Sequence, residues 1–75
     1  MNKTRRQQLR KWLQDLEEIK NELEVIKDDE QDYYDNIPEN LQSSERACDS
    51  EDAIEQMEEA VSSIEDAISM IEEIV

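Results

Sequence analysis

Apolar residues recur along the first half of the chain at alternating spacings of three and four, the pattern of an amphipathic helix. The stripe meets one polar residue, Glu30. Its members are Leu9, Trp12, Leu16, Ile19, Leu23, Ile26, Glu30, Tyr33 and Ile37. Leu13 and Tyr34 widen the stripe on one side, so the pattern predicts a helix with more apolar surface than one neighbouring helix covers.

The second half keeps the same alternation to the last residue. Its core positions are Ala47, Ser50, Ile54, Met57, Val61, Ile64, Ile68, Ile71 and Val75. The positions just before the first member of each pair hold Ala53, Ala60, Ala67 and Ile74. Alanine beside a core position lets another helix backbone approach closely. Since neither Gly nor Pro follows Pro38, the pattern predicts one uninterrupted helix.

The stretch between the two halves lacks this periodicity and predicts a turn. Pro38 disfavours helical geometry at Ile37. Asn36 or Asp35 can cap a new helix start, because Glu39 follows Asn36 at the spacing of the reciprocal capping pattern. Later candidates for the cap are Ser43, Ser44 and Ser50.

These patterns predict one all-α domain over residues 1–75, with a helix at about 3–33, a turn at about 34–43 and a helix at about 44–75. A short helical turn is expected near 39–42. Two long helices with a short connection form an antiparallel, coiled-coil-like hairpin. A single hairpin leaves part of each apolar stripe exposed to water, so we expect two hairpins to form a homodimeric four-helix bundle. An obligate heteropartner could bury the same surface. The expected core or dimer residues are Trp12, Leu13, Leu16, Ile19, Leu23, Ile54, Val61, Ile64, Ile68 and Ile71.

Charge divides the chain into two unlike halves. The net charge is −14, from 8 basic and 22 acidic residues. Seven bases and five acids lie at or before Lys27, whereas 17 acids and only Arg46 follow it. An antiparallel hairpin brings the basic start of the first helix to the acidic end of the second, so charge favours that orientation. The two clusters are Lys3, Arg5, Arg6, Arg10 and Lys11, and Glu65, Asp66, Glu72 and Glu73.

Composition removes most enzyme classes. The chain has no Gly, no His and a single Cys, Cys48. A glycine-rich phosphate loop, the usual zinc ligand sets, Ser-His and Cys-His pairs and an internal disulfide are therefore excluded. The acidic run 28–39 resembles a calcium loop in spacing but has Tyr33 where that loop needs Gly. We expect no enzyme activity, no cofactor and no metal site.

The largest charged feature is a pair of acidic rows on the outer face of the second helix. They hold Glu51, Glu58, Glu65 and Glu72, and Asp52, Glu59, Asp66 and Glu73. The 17 acids of this half along ~45 Å approach the charge spacing of duplex DNA, one per ~1.7 Å. One interpretation is a nucleic-acid mimic that occupies a basic groove; the other is a solvated face that keeps the bundle soluble. Direct nucleic-acid binding is not expected, because the few bases are neutralised within the hairpin.

The turn holds a second candidate site. Its members are Tyr33, Tyr34, Asn36 and Arg46. Two adjacent aromatic rings, an amide and a guanidinium suit a nucleotide-like ligand, particularly where two hairpins bring their turns together. The alternative interpretation is that Tyr33 and Ile37 close the end of the bundle while the polar groups cap helices.

The segment from Asp35 to Arg46, DNIPENLQSSER, lies between an acidic helix and acidic Ala/Ile heptads. In this setting it resembles a group of short acidic proteins of phages and prophages of low-GC Gram-positive bacteria. The resemblance covers most of the chain, its specific part is the turn, and it transfers no functional residue. It implies a setting in which small acidic phage proteins block host machinery or capture immune signals.

Function and location are expected to follow that setting. We expect a phage-encoded inhibitor of a host nucleic-acid-binding or defence protein, with a nucleotide sponge or a structural dimer as alternatives. The start of the chain lacks the continuous apolar region of a signal peptide, and no apolar run approaches the ~20 residues of a membrane span. The expected location is the cytoplasm of the bacterial host cell, without membrane contact.

Overall fold

The computed structural model describes all of residues 1–75 and contains two long helices. Helix α1 spans Lys3–Asp35 and helix α2 spans Glu45–Ile74, with a short 3-10 turn, Glu39–Leu41, between them. The helices pack side by side in a rod 59 Å long and 15 Å wide. The predicted all-α hairpin, including its short helical turn, is confirmed.

Asparagine side chains close both ends of α1. The side-chain oxygen of Asn2 accepts a hydrogen bond from the backbone N–H of Arg5 at 2.8 Å. At the other end, the backbone N–H of Asn36 bonds to carbonyls of the last turn, and its side-chain Nδ2 donates to the carbonyl of Asp32 at 2.8 Å. Asn36, one of the candidate caps for the next helix, instead ends α1, because its amide folds back onto that helix.

Helix α2 begins at one of the three serines considered as caps. The Ser44 hydroxyl accepts a hydrogen bond from the backbone N–H of Ala47 at 3.3 Å, and Glu45 adds an acid to the first turn, where the helix dipole favours it. The last turn of α2 holds Glu72 and Glu73 and no base. Glu45 therefore favours the start of α2 but is offset by Arg46 beside it, whereas Glu72 and Glu73 disfavour the end of the helix.

All nine core positions predicted for α2 are buried or half-buried against α1. The fully buried ones are Ala47, Ser50, Ile54 and Ile68. These four are the only buried residues of the chain, so the contact between the helices, called the seam below, is narrow.

The inward face of α1 differs from the predicted stripe by one row. The half-buried residues include Leu9, Leu16, Leu23, Glu30 and Ile37, as expected, but the second inward row is Leu13, Lys20, Lys27 and Tyr34. The predicted second row, Trp12, Ile19, Ile26 and Tyr33, is 51%, 51%, 57% and 42% exposed. The stripe was wrong at these four positions for the hairpin itself; burial of Trp12 and Ile19 in a dimer stays a prediction.

Candidate functional site

One long side of the hairpin is charged. The ammonium of Lys20 lies 3.9 Å from a carboxylate oxygen of Glu65, and Tyr34 faces Glu51. Tyr34 is fourteen residues after Lys20 on α1, whereas Glu51 is fourteen residues before Glu65 on α2. The two contacts therefore define an antiparallel register. The row of Glu51, Glu58, Glu65 and Glu72 therefore runs beside the inward row of α1 that contains Lys20 and Tyr34. We call this the charged side.

The opposite long side is apolar. Tyr33 and Arg46 line the same two clefts near the turn, so the rows that contain them are neighbours. Seven-residue steps continue both rows along the helices. The α1 row is Trp12, Ile19, Ile26 and Tyr33, and the α2 row is Arg46, Ala53, Ala60, Ala67 and Ile74. We call this the apolar side.

All eight carboxylates of the predicted acidic rows are exposed. Asp52 lies midway between Ser50 and Ile54, two seam residues. Since each residue advances about 100° around the helix, a step of two residues reaches nearly the opposite side, so the Asp52 row points away from α1. Only Glu65 of the eight has a cation within 4.0 Å, since the other ion pair joins Lys27 to Asp28. The rows are an almost unneutralised acidic surface.

The basic cluster at the start of α1 and the acidic cluster at the end of α2 lie at the same end of the hairpin but form no ion pair. No base among residues 1–14 lies within 4.0 Å of an acid. The register explains this, because Lys20 opposite Glu65 puts Val75 at about the level of Arg10, and the earlier bases extend past the end of α2. The antiparallel orientation is nevertheless the observed one.

Tyr34 belongs to the charged side. The Glu51 carboxylate raises the pKa of its phenol above the ordinary value of 10.0, with smaller contributions from partial burial, the Cys48 thiol and Asp35. The cause is electrostatic, since ionising the phenol puts a second negative charge beside Glu51. Tyr34 therefore does not join the other predicted turn residues.

Two adjoining clefts lie at the turn, with volumes of about 530 Å³ and 280 Å³. The larger is lined by Glu30, Tyr33, Glu45, Arg46, Asp49 and Ser50. The smaller is lined by Tyr33, Asn36, Ile37, Pro38, Leu41, Ser44 and Arg46. The structure brings together three of the four predicted turn residues, Tyr33, Asn36 and Arg46.

The two clefts differ in charge. The larger has three carboxylates for one guanidinium, which suits a cation or an N–H donor, and the buried Ser50 hydroxyl in its wall has no hydrogen-bond partner. The smaller has no carboxylate. Sequence reasoning missed Glu30, Asp49 and Ser50 as cleft residues. Only the register between the helices brings them together, and the spacing along either helix does not reveal that register.

The helices contain no group of three or more His, Cys, Asp or Glu side chains arranged to hold a metal ion. Neither helix includes a segment with the length and apolar character needed to cross a membrane. No protein-family model matches the chain, and it matches no curated protein and no solved structure. The surfaces of the hairpin are therefore the basis of the functional proposal.

Proposed function

We propose that the protein is a non-enzymatic inhibitor that presents the acidic rows of α2 to the basic groove of a nucleic-acid-binding or defence protein in a bacterial host cell. The observation that carries this proposal is the exposure of all eight row carboxylates, only one of which has a cation within 4.0 Å. Carboxylates left unpaired within the hairpin are free to replace phosphates in a partner's groove.

The rows suit a groove built for a phosphate backbone. Members of one row repeat every seven residues, about 10 Å along the helix, and the second row follows one residue later. Helix α2 is continuous over its 30 residues and contains no Gly or Pro, so the charges keep the regular spacing of a helix. Binding of this kind releases counterions and weakens steeply with salt. The resemblance to short phage proteins supports phage origin and action in the host cytoplasm.

Capture from a lysate of a low-GC Gram-positive bacterium tests the proposal. The immobilised protein is expected to retain nucleic-acid-binding proteins at about 0.05 M salt and to release them at about 0.5 M, where screening is strong. Duplex DNA added as a competitor is expected to displace the same proteins, since mimic and DNA occupy one groove. Retention that DNA does not affect would contradict mimicry.

A matched pair of variants separates the rows from bulk charge. The row variant carries D52N, E59Q, D66N and E73Q. The control carries D15N, E17Q, E18Q and E22Q, which removes the same charge from exposed positions of α1. Loss of capture by the row variant alone supports the proposal, whereas equal loss in both shows that only net charge matters.

We also infer that two hairpins assemble into a four-helix bundle. Only four residues are buried in one hairpin, while large apolar side chains such as Trp12 and Ile26 stay about half exposed. A chain of this size rarely gains enough stability from so small a core. A third candidate function is a purely structural dimer. It is the conclusion if the lysate experiment captures no partner and calorimetry detects no nucleotide binding.

A nucleotide sponge is the second candidate function. The observation that favours it is the smaller cleft, where Tyr33 offers a stacking surface and Arg46 a phosphate ligand with no carboxylate in the lining. Calorimetry with cyclic and ADP-ribose-type nucleotides tests it, since a sponge releases heat and an acidic mimic does not. R46A is expected to abolish that heat, and Y34F, outside the cleft, to preserve it.

A further inference from the structure

The apolar side combines a row of large residues with a row of small ones. The ridge on α1 is Trp12, Ile19, Ile26 and Tyr33, and the groove on α2 is formed by Ala53, Ala60 and Ala67. The ridge is exposed in the hairpin. The row of α1 that faces α2 instead contains two charged residues, Lys20 and Lys27. The more apolar row of α1 is thus the one that the hairpin leaves uncovered.

The chain exposes more surface than a compact monomer of its size, and the excess is about the area that one partner buries in a stable interface. A compact monomer of 8.9 kDa exposes about 4,800 Å², whereas this chain exposes 5774 Å². The excess of roughly 1,000 Å² is close to the ~800 Å² that each partner contributes to a stable interface. One face of the rod, 59 Å by 15 Å, is large enough to supply it.

We propose that a second copy of the chain covers the apolar side, with the two hairpins antiparallel to each other. The charges of the two ends of the hairpin favour this arrangement. The turn end, residues 28–52, holds ten acids and one base, a net charge of −9. The open end, residues 1–14 and 62–75, holds five bases and four acids, a net charge of +1. Antiparallel hairpins put −9 beside +1 at each end, whereas parallel hairpins put −9 beside −9.

The two-fold axis then crosses the middle of the ridge, between Ile19 and Ile26. Full overlap of the ridges places α1 beside the α1 of the other copy and α2 beside its α2. The two inner core layers each receive two large residues from the α1 helices and two alanines from the α2 helices, a mixture that fills a bundle without voids. The alanine row allows the two α2 backbones to approach closely.

The same overlap brings Trp12 to the larger turn cleft of the other copy, beside the partner's Tyr33. An indole is a large apolar ring with one N–H donor. The carboxylates of Glu30 and Asp49 in that cleft accept such a donor, and the Arg46 guanidinium suits the face of the ring. Trp12 is thus the anchor of the dimer, and the cleft that receives it is a dimer contact.

This inference refines the self-association inferred above and does not depend on what the acidic rows bind. The Asp52 row points away from α1, so the acidic rows stay free in the dimer. The turns lie about 45 Å apart, from 1.5 Å per residue, so the paired-turn form of the nucleotide sponge does not occur. Failure of the dimer leaves the inhibitor proposal standing, and the reverse also holds.

Sedimentation and the emission of the single tryptophan test the covered face. Across a dilution series, the dimer is expected to dissociate while Trp12 emission shifts to longer wavelength. I26K is expected to raise the dimer dissociation constant about 100-fold or more, because two copies lose an apolar contact. V25K is the matched control. Val25 is next to Ile26 and about as exposed. It lies midway between Leu23 and Lys27, which face α2, so Val25 is on the opposite side of α1 and outside the proposed interface.

Helicity of both variants is checked by circular dichroism, so that loss of folding is not mistaken for loss of contact. Equal effects of I26K and V25K would overturn the assignment of the face. A monomer at all concentrations up to about 100 µM, well above the Kd range of stable dimers, would overturn the dimer and leave the face to a different protein.

Spin labels test the orientation. S43C in a C48S background places one label at the exposed turn of each copy. Double electron–electron resonance is expected to give about 45 Å for antiparallel hairpins, from the helical rise. A distance of about 20 Å, as adjacent turns of a parallel bundle give, would overturn the antiparallel arrangement.

Discussion

Ser50 is the one polar side chain that the hairpin buries. It is 3% exposed, and its hydroxyl has no hydrogen-bond partner. Its neighbours in the seam, Ala47 and Ile54, offer no side-chain acceptor. A buried polar group without a partner costs about 1–3 kcal/mol. The position is therefore a local weakness at the edge of the larger turn cleft.

S50A is expected to raise the free energy of unfolding by about 1 kcal/mol, because it removes the unsatisfied hydroxyl without opening a large cavity. Urea denaturation measures the change. S63A is the control, since Ser63 is exposed on the same helix and gains the same helix propensity on replacement by alanine. Equal gains from both variants would show that burial of the hydroxyl is not the cause.

Tyr34 reports the charge beside it. E51Q, in a Y33F background that leaves one tyrosine, is expected to lower the pKa of Tyr34 toward 10.0, because the first cause of its rise is the Glu51 carboxylate. The ultraviolet absorbance of the phenolate measures the titration. The raised pKa belongs to the folded form, so this contact supports the hairpin below pH 10.0 and is lost as pH rises through the raised value. E58Q, with the same charge change one repeat away, is expected to leave the pKa where it is.

The two helices differed in how far their inward faces were predictable. Helix α2 has one apolar stripe, and every position predicted for it faces α1. Helix α1 has apolar residues on both sides of the Leu16 and Leu23 row, so its pattern allows two faces toward α2. The structure turns the row that contains Lys20 toward α2, and the Lys20 ammonium lies 3.9 Å from a Glu65 carboxylate oxygen. That contact depends on register, which periodicity within one helix does not contain.

The turn was also only partly predictable from the sequence. Its existence followed from Pro38 and the loss of periodicity, but the role of each capping residue did not. Asn36 serves equally well at a helix start or a helix end, and the structure uses it at the end of α1. Among the cleft residues, Tyr33 and Arg46 were predicted together from their chemistry, while Glu30 and Asp49 joined them only through packing.

S44A is expected to lower the free energy of unfolding by about 1 kcal/mol, because it removes the side-chain oxygen that accepts the Ala47 N–H at the start of α2. Thermal or urea denaturation provides the measurement. S43A, one residue earlier and without a capping bond, is the matched control. A loss in S43A as large as that in S44A would contradict the assignment of the cap.

Repulsion governs the electrostatics of the whole molecule. A net charge of −14 is distributed over 75 residues, and only one ion pair, Lys20 with Glu65, joins the two helices. Such a charge opposes the compact state through self-repulsion. Exposed pairs contribute about 1 kcal/mol at most, so they do not offset it.

Added salt is therefore expected to stabilise the protein. Raising NaCl from about 0.02 M to about 0.5 M shortens the screening length to a few ångströms and should raise the Tm by several degrees. Circular dichroism melts at fixed protein concentration provide the measurement. The variant with D52N, E59Q, D66N and E73Q should respond less, because it has less repulsion to screen. A Tm that falls with salt would show instead that ion pairing dominates.

The unequal charge of the two ends, −9 at the turn and +1 at the open end, gives a single hairpin a large permanent dipole moment along its 59 Å length. A basic surface exerts a torque on such a rod before contact, so a monomer approaches turn first. In the proposed dimer the two axial moments oppose each other and cancel. Association would then also change the direction of approach, from end-on to side-on, with an acidic row of α2 arriving along its full length.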